Sequence, residues 1–350
     1  MSTEPEPSPA PRPAPRPTPS SRPALSPFDE LKARAESGDA KSQTALGNWY
    51  ATGKGGHIDI AEAVRWYRAA AEQGEMLAQY NLGALLLQGI GVARNDAEAA
   101  HWFYLAAQQG DAMAQYNLGL MYAGGQGVGA DAQSAADWFQ KAAAQGDAMA
   151  QLQLAQLAAK ASGAPLTPEQ LAGFYLKAAE QGYPEAQSMM GSLYAKGRGV
   201  DRDPAEALKW YQQAADQGDP KALHTLAVTY LNGDGVPQDT TQAMQYYQRA
   251  ADAGYATSQY NLGMMYYLGR GTDADPAQAF RWIEKAAQQN FPAAERQLGN
   301  FYASGQGTTQ DLVLAYRWYS LAAAQGDPEA KASMTALGQQ LTPDQLQQAR

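Results

Sequence analysis

Apolar positions recur with helical periodicity along most of the chain, and the pattern restarts every 36 residues. In residues 110–145, Ala114 and Leu118 stand four residues apart, which places them on one face of a first helix. Ala135 and Trp138 then open the apolar stripe of a second helix. Because these positions are apolar in most of the other copies, the pattern predicts a chain of paired helices.

Glycines and short polar residues mark the helix ends in each copy. A glycine pair such as Gly125 and Gly127 predicts the end of the first helix and a reversal of the chain. The residues that precede the second helices are good N-caps: Asp59, Asn95, Asp131, Thr167, Asp203, Asp239, Asp275 and Asp311. Six copies carry an acid or amide three residues later, which predicts capping boxes: Glu62, Glu98, Gln170, Glu206, Gln242 and Gln278. A further glycine, replaced once by Asn290, ends each second helix.

The repeated motif A-x-x-x-L-G-x-x-Y-x-x-G-x-G-V-x-x-D-x-x-x-A-x-x-W-[YF]-x-x-A-A-x-Q-G resembles the Sel1-like repeat family. The copies beginning at Ala114 and Ala186 match it best, with Met190 for the leucine in the second of them. The resemblance implies an all-α fold: an αα-hairpin solenoid, similar to tetratricopeptide arrays, wound into a right-handed superhelix. The fourth copy departs most, because its turn at 161–166 lacks the first glycine and Ala158 replaces the tyrosine.

The repeats divide the chain into four predicted segments. Residues 1–26 hold nine prolines, many at alternate positions, and predict a disordered tail with polyproline II character. Residues 27–37 predict a capping helix with Ser26 as its N-cap. Residues 38–325 form eight Sel1-like repeats, and residues 326–350 a partial ninth repeat with a closing helix.

Composition excludes several classes of function. The net charge is −9, and the proline-rich tail is slightly basic, so the repeats are more acidic still; this argues against binding to nucleic acid or to an anionic membrane surface. No run of about 18 apolar residues could form a transmembrane helix, no secretory signal is visible, and the chain has no cysteine. We therefore expect a cytoplasmic monomer, with export by a route that needs no cleaved signal peptide as the alternative.

The residues offer no catalytic or metal-binding constellation. His57, His101 and His224 fall at three different places in three repeats, without the spacing of a zinc pair. The Gly-x-Gly turns lack the Lys-Ser/Thr of a phosphate loop and follow helices. We expect no cofactor, no metal and no enzymatic activity, and a hydrolase is the weakest alternative.

A protein partner is predicted to bind in the concave groove that first helices line in this type of superhelix. The positions on that stripe lie 3, 6, 10 and 13 residues after the marker glycine. Tyrosine and methionine suit a groove for a helix or an extended segment, although Tyr80 and Tyr116 can equally be additional core residues. The candidate groove residues are Leu77, Tyr80, Met113, Tyr116, Leu120, Met149, Leu152, Tyr260, Met264 and Tyr267. The recurrent glutamines are predicted instead to make hydrogen bonds between repeats: Gln43, Gln79, Gln115, Gln151, Gln187 and Gln259.

Two functional classes follow, and the family resemblance favours a bacterial origin for both. The first is a non-catalytic scaffold or adaptor for protein complexes, as the resemblance implies. The alternative is a secreted effector or an immunity-type binding protein, with residues 1–26 as an export or docking signal. Deletion of residues 1–26 distinguishes them, because it abolishes export in the second class and leaves partner binding intact in the first.

Overall fold

A computed structural model describes residues 26–54, 56–160 and 167–349, and within this part of the chain it contains helices and no strands. The tail before Ser26, Gly55, the turn at 161–166 and Arg350 lie outside the described residues. The helices are α1 (Pro27–Glu36), α2 (Ala40–Thr52), α3 (Ile60–Ala71), α4 (Met76–Gln88), α5 (Asp96–Gln108), α6 (Ala112–Gly124), α7 (Ala132–Ala144), α8 (Ala148–Lys160), α9 (Pro168–Glu180), α10 (Pro184–Lys196), α11 (Pro204–Asp216), α12 (Pro220–Asn232), α13 (Thr240–Asp252), α14 (Ala256–Leu268), α15 (Pro276–Ala287), α16 (Pro292–Ser304), α17 (Leu312–Ala324), α18 (Pro328–Gly338) and α19 (Pro343–Gln348).

The helices from α2 to α17 form eight successive hairpins, each with a first and a second helix, so the predicted all-α solenoid of helical hairpins is confirmed. The chain separates into two compact units. Unit 1 contains the described residues up to Ala114 together with 124–130, and unit 2 contains 115–123 and the described residues from Asp131 onward. Across the described residues, no helix combines the length and hydrophobicity that a membrane crossing requires.

The second helices begin where the sequence predicts. At all eight N-caps the side chain accepts a hydrogen bond from a backbone N–H two or three residues later. The predicted capping boxes are wrong at five of six places: among these caps, the reciprocal bond forms at Thr167, whose N–H donates to Gln170 at 2.9 Å. Acidic side chains at the other places find basic partners instead, as Glu98 does with Arg68.

The glycine pair between the two helices of a hairpin has two different roles. Gly125 ends α6 with φ of +67°, the left-handed conformation that glycine adopts without strain. Gly127 also has positive φ, and a Cβ there would overlap the backbone of Asp96 at the start of α5. The second glycine is therefore required for close approach as well as for the turn. Asn290 takes the left-handed conformation predicted for it, with φ of +58°.

A second set of glycines, inside the first helices, allows close packing within each hairpin. A Cβ on Gly119 would lie 2.6 Å from the ring of Phe139. The aromatic residue that fills this space is Phe139, the one directly after Trp138. The same contact joins other helical glycines to rings in their own hairpins: Gly47 to Tyr67, Gly83 to Phe103, Gly191 to Tyr211 and Gly299 to Tyr319.

Helices α1, α18 and α19 lie at the two ends of the described chain. The Ser26 hydroxyl caps α1 by accepting from the Asp29 N–H at 3.1 Å. Helix α18 ends at Gly338. Leu341, just before the closing helix α19, is buried with Tyr319 and Leu337.

Candidate protein-binding surface

In unit 1, two of the candidate groove residues are exposed on the first helices and a third is half-buried. Leu77 on α4 is 50% exposed and Met113 on α6 is 49% exposed. Tyr80 is half-buried, and its ring centroid lies 5.8 Å from that of Phe103 in the same hairpin. Tyr80 thus packs its ring against the core and keeps one edge accessible, which combines the two alternatives left open by the sequence.

In unit 2, the candidates of the third and fourth repeats differ in accessibility. Tyr116 is half-buried against Phe139, with ring centroids 5.9 Å apart. Burial, followed by the charges of Asp147 and Tyr183, raises the pKa of Tyr116, so its hydroxyl remains a neutral hydrogen-bond donor at neutral pH. Leu120 is 37% exposed, and Met149 is half-buried.

The prediction for Leu152 is wrong. Its side chain is 3% exposed and packs in the core of unit 2 with Leu171, Tyr175 and Met190. Leu152 occupies the same repeat position as Tyr80 and Tyr116, but a leucine is short enough to be enclosed completely where a tyrosine leaves its hydroxyl end outside. Leu152 is therefore part of the core and is not available to a partner.

The seventh repeat places a second group of candidates on α14. The ring of Tyr260 lies 5.5 Å from Phe291, and that of Tyr267 lies 5.4 Å from Phe301. The Tyr267 hydroxyl also donates to Gln306 Oε1 at 2.9 Å. Met264 is half-buried between the two tyrosine positions. Both rings are anchored by contacts with the following repeat, so they offer pre-formed surface rather than mobile side chains.

Leu268, at the end of α14, is an exposed residue that the sequence analysis missed. It is 50% exposed and borders a small cavity of about 110 Å³ together with Leu231 and Met264. Leu268 lies one residue beyond the last position of the predicted stripe. The signal that could have found it is a leucine placed directly before the left-handed Gly269, because the last turn of a helix is covered on fewer sides.

The recurrent glutamines are structural, as predicted. The Gln79 amide donates to the Ala71 carbonyl of the preceding hairpin at 3.2 Å, and Gln79 Oε1 accepts from Gln109 at 2.8 Å. The same donation to the carbonyl eight residues earlier is made by Gln43, Gln151, Gln187 and Gln259. These amides connect each first helix to the helix that precedes it, so their role in the array is structural.

The histidines lie in separate packing environments. His224 is half-buried, with Nδ1 2.9 Å from Ser258 Oγ, and burial lowers its pKa. His101 contacts the edge of Trp102 at 5.2 Å, and His57 is exposed in a turn. In the part of the chain that the structure describes, no group of three or more His, Asp or Glu side chains could hold a metal ion.

Comparison with known proteins assigns the repeats. The Sel1 repeat model matches residues 40–75, 77–111, 112–147, 172–183, 184–219, 220–255, 256–291 and 292–327. The fourth match covers only the end of its repeat, in agreement with the departures noted at Ala158 and 161–166. A search of curated proteins gives no match.

Two solved structures are among the similar proteins. A Sel1 repeat protein from Oxalobacter formigenes is 36% identical over 90% of this chain and 91% of its own, with a TM-score of 0.73. The protein c5321, a protective antigen present in uropathogenic Escherichia coli strains, is 28% identical over 93% of both chains, with a TM-score of 0.46. Sel1 repeat solenoids are typical of non-catalytic scaffolds for protein–protein interaction. The chain belongs to the Sel1 repeat family.

Proposed function

We propose that this protein is a non-catalytic scaffold that binds a segment of a partner protein on the apolar side chains of its first helices. The supporting observation is the exposure of Leu77, Met113 and Leu120. At the repeat positions of these residues, other first helices carry polar or charged side chains such as Glu185 and Ser192. Large apolar side chains exposed at positions that tolerate charge are typical of a contact surface.

The chemistry of these residues suits a helix or an extended segment. Methionine adapts its shape to a partner, and a tyrosine held against the core gives contact area with little loss of side-chain entropy. Tyr116 beside Leu120 in unit 2, and Tyr80 beside Leu77 in unit 1, each provide such a pair on one first helix.

A photo-crosslinking experiment tests the proposal. A photoreactive phenylalanine derivative replaces Leu120 in the full chain, and proteins captured in source cells are identified by mass spectrometry. The purified partner is then titrated calorimetrically against Leu120→Glu. We expect affinity to fall about tenfold or more, because an exposed apolar contact is replaced by a charge that must be desolvated.

The matched control is Leu321→Glu, which places the same charge on an exposed leucine of the second helix α17. Circular dichroism confirms that both variants are folded. We call the exposed residues Leu77, Met113 and Leu120 the first-helix surface. Equal affinity of the two variants for the partner contradicts binding on this surface. Loss of binding in Leu77→Glu alone would assign the contact to α4 rather than to α6.

A further inference from the structure

Within the described residues, helix α1 takes the place of a second helix without a first helix before it. Phe28 lies 5.4 Å from Trp49 and 6.2 Å from Tyr50, measured between ring centroids. Phe280, seven repeats later in α15, makes the equivalent contacts with Phe301 and Tyr302 at 6.2 Å and 5.5 Å. The helix α15, however, also packs against α14 of its own hairpin, whereas no helix precedes α1 in the described chain.

The space beside α1 is an aromatic pocket. It has a volume of about 350 Å³ and is lined by Phe28, Trp49, Tyr50, His57 and Asp59. Phe28, Trp49 and Tyr50 are all half-buried, and the Lys54 ammonium lies 4.9 Å from the centroid of the Trp49 ring. A pocket with aromatic walls and one carboxylate at its edge is suited to an apolar, extended segment that also carries basic residues.

The chain itself supplies such a segment immediately before α1. Residues 5–19 carry proline at every second position, and Arg12 and Arg16 lie among them. Alternating prolines favour the polyproline II conformation, which aromatic-lined grooves bind at low entropic cost. The exposed side chains of Asp29 and Glu30 in the first turn of α1 add negative charge near the pocket, complementary to these arginines.

The point of attachment also favours this occupant. The segment joins the described chain at Ser26, two residues before Phe28, which itself lines the pocket. Residues 20–25 span roughly 18 Å when extended at about 3.1 Å per residue, enough for the preceding prolines to fold back. A short tether of this kind gives an effective concentration of about millimolar, so weak contacts suffice for occupancy.

We propose that residues 5–19 of the same chain dock in the pocket formed by Phe28, Trp49 and Tyr50. The segment covers the apolar face that a first helix covers in an interior hairpin. None of the candidate residues of the first-helix surface lines this pocket, and the proposal is independent of the function proposed for that surface.

Paramagnetic NMR on the full chain tests the proposal. Because the chain has no cysteine, Ala14→Cys accepts a single nitroxide label. The indole N–H signal of Trp49, assigned with Trp49→Phe, is then observed. The matched control carries the same label and replaces Pro9, Pro11, Pro13, Pro15 and Pro17 with serine, which keeps the tether and removes the polyproline preference. We expect label-induced relaxation of Trp49 to be about threefold stronger with the native prolines.

Two further arms make the outcome decisive. Equal relaxation in the native and serine-substituted chains contradicts docking of the proline segment. In a second arm, spin-labelled molecules are mixed with isotope-enriched molecules that carry no label. If the Trp49 relaxation arises only between molecules in this mixture, the segment docks onto a second copy, and the intramolecular proposal is overturned. In the serine-substituted chain, a synthetic peptide of residues 5–19 should shift the Trp49 signal. An unmoved signal contradicts the assigned chemistry of the pocket.

Discussion

Two neighbouring hairpins of unit 2 use different side chains to donate a hydrogen bond to the carbonyl at the equivalent repeat position. In α14–α15, the Gln259 amide donates to the Ala251 carbonyl at 3.1 Å and accepts from Gln289 at 2.8 Å. In α12–α13, buried Leu223 stands at the position of this first glutamine and Ala253 at the position of the second. Both members of the hydrogen-bonded pair are thus replaced together.

Arg249 supplies the missing donor in the α12–α13 hairpin. Its guanidinium donates from Nη2 to the Ala215 carbonyl at 2.6 Å, the carbonyl that a glutamine at position 223 would reach. The comparison teaches that the side-chain hydrogen bond to this carbonyl can come from two different repeat positions and does not require glutamine. The Ala215 carbonyl also accepts from the Gly218 N–H at 3.0 Å, so the Arg249 guanidinium adds a second, charge-assisted hydrogen bond, which contributes about 1.5–3 kcal/mol.

The same two hairpins differ at two further positions. Ala227 in α12 stands where Gly263 is found in α14, and His224 stands where Tyr260 is found. In α14, a Cβ on Gly263 would lie 2.8 Å from Cγ1 of Ile283. The packing of this hairpin therefore leaves no room for a side chain at position 263. Each difference gives a substitution that tests how far the two hairpins are interchangeable.

The largest effect is expected when Gly263 becomes valine. The branched side chain overlaps Ile283 and approaches the Ala279 carbonyl, so we expect the free energy of unfolding to fall by about 3 kcal/mol. Urea denaturation followed by circular dichroism measures this change. Thr257→Val, which places the same branched side chain on a half-buried site of α14, is the control. A loss equal to that of the control would show that the glycine has no packing role.

Arg249→Met should destabilise the protein by about 2 kcal/mol, because it removes the charge-assisted hydrogen bond to the Ala215 carbonyl, which then accepts from the Gly218 N–H alone, while keeping an apolar stem. The double variant Arg249→Met, Leu223→Gln should recover most of that loss, since the glutamine restores the donor used in α14. Gln245→Met, on the exposed face of α13, serves as control. Absence of recovery in the double variant contradicts the equivalence of the two donors.

The eighth repeat carries a third version of this junction. Buried Glu295 accepts from Gln325 at 2.9 and 2.8 Å through its two oxygens, but as a carboxylate it has no hydrogen to donate. Glu295→Gln should raise the free energy of unfolding by about 1 kcal/mol at pH 7, because it restores a donor and removes a buried charge. Glu284→Gln, a half-buried residue of α15, is the control.

The gain from Glu295→Gln should depend on pH. Burial raises the pKa of Glu295 above its ordinary value of 4.5, so the folded wild type takes up a proton before the unfolded chain does as the pH falls. Wild-type stability therefore rises relative to the variant as the pH decreases through the folded pKa toward 4.5. A difference between the two proteins that is constant over this range would contradict the assignment.

The smallest effect is expected from His224→Tyr, which gives α12 the residue found in α14. Burial lowers the pKa of His224 below 6.5, so the unfolded chain binds the proton more readily. His224 thus favours the folded state fully above pH 6.5, and this contribution is lost as the pH falls toward its folded pKa. Urea midpoints at pH 7.5 and 5.5 should differ less in the variant than in the wild type. His57→Gln, at an exposed histidine, is the control. If His224→Tyr leaves the difference between the two urea midpoints unchanged, His224 is not the source of the pH dependence.

The sequence predicted which positions of the first helices the candidate groove residues occupy, but not how exposed their side chains are. Leu120 and Leu152 belong to the same predicted stripe, yet one is 37% exposed and the other is 3% exposed. Leu268 was missed because it lies one residue past that stripe. Exposure of a helical residue depends on the side chains that adjacent helices bring to it, and the periodicity of one helix contains no information about them.

The sequence by itself determined the helices, their caps and the repeat, because these depend on residues within a few positions of one another. Asp131 caps α7 and Gly125 ends α6 through local bonds and backbone angles. Only the tertiary structure decided that Arg249 reaches Ala215 and that α1 forms an open aromatic pocket with Trp49. The residues in these contacts lie about twenty or more positions apart in the chain, and their meeting follows from the stacking of hairpins rather than from any local preference.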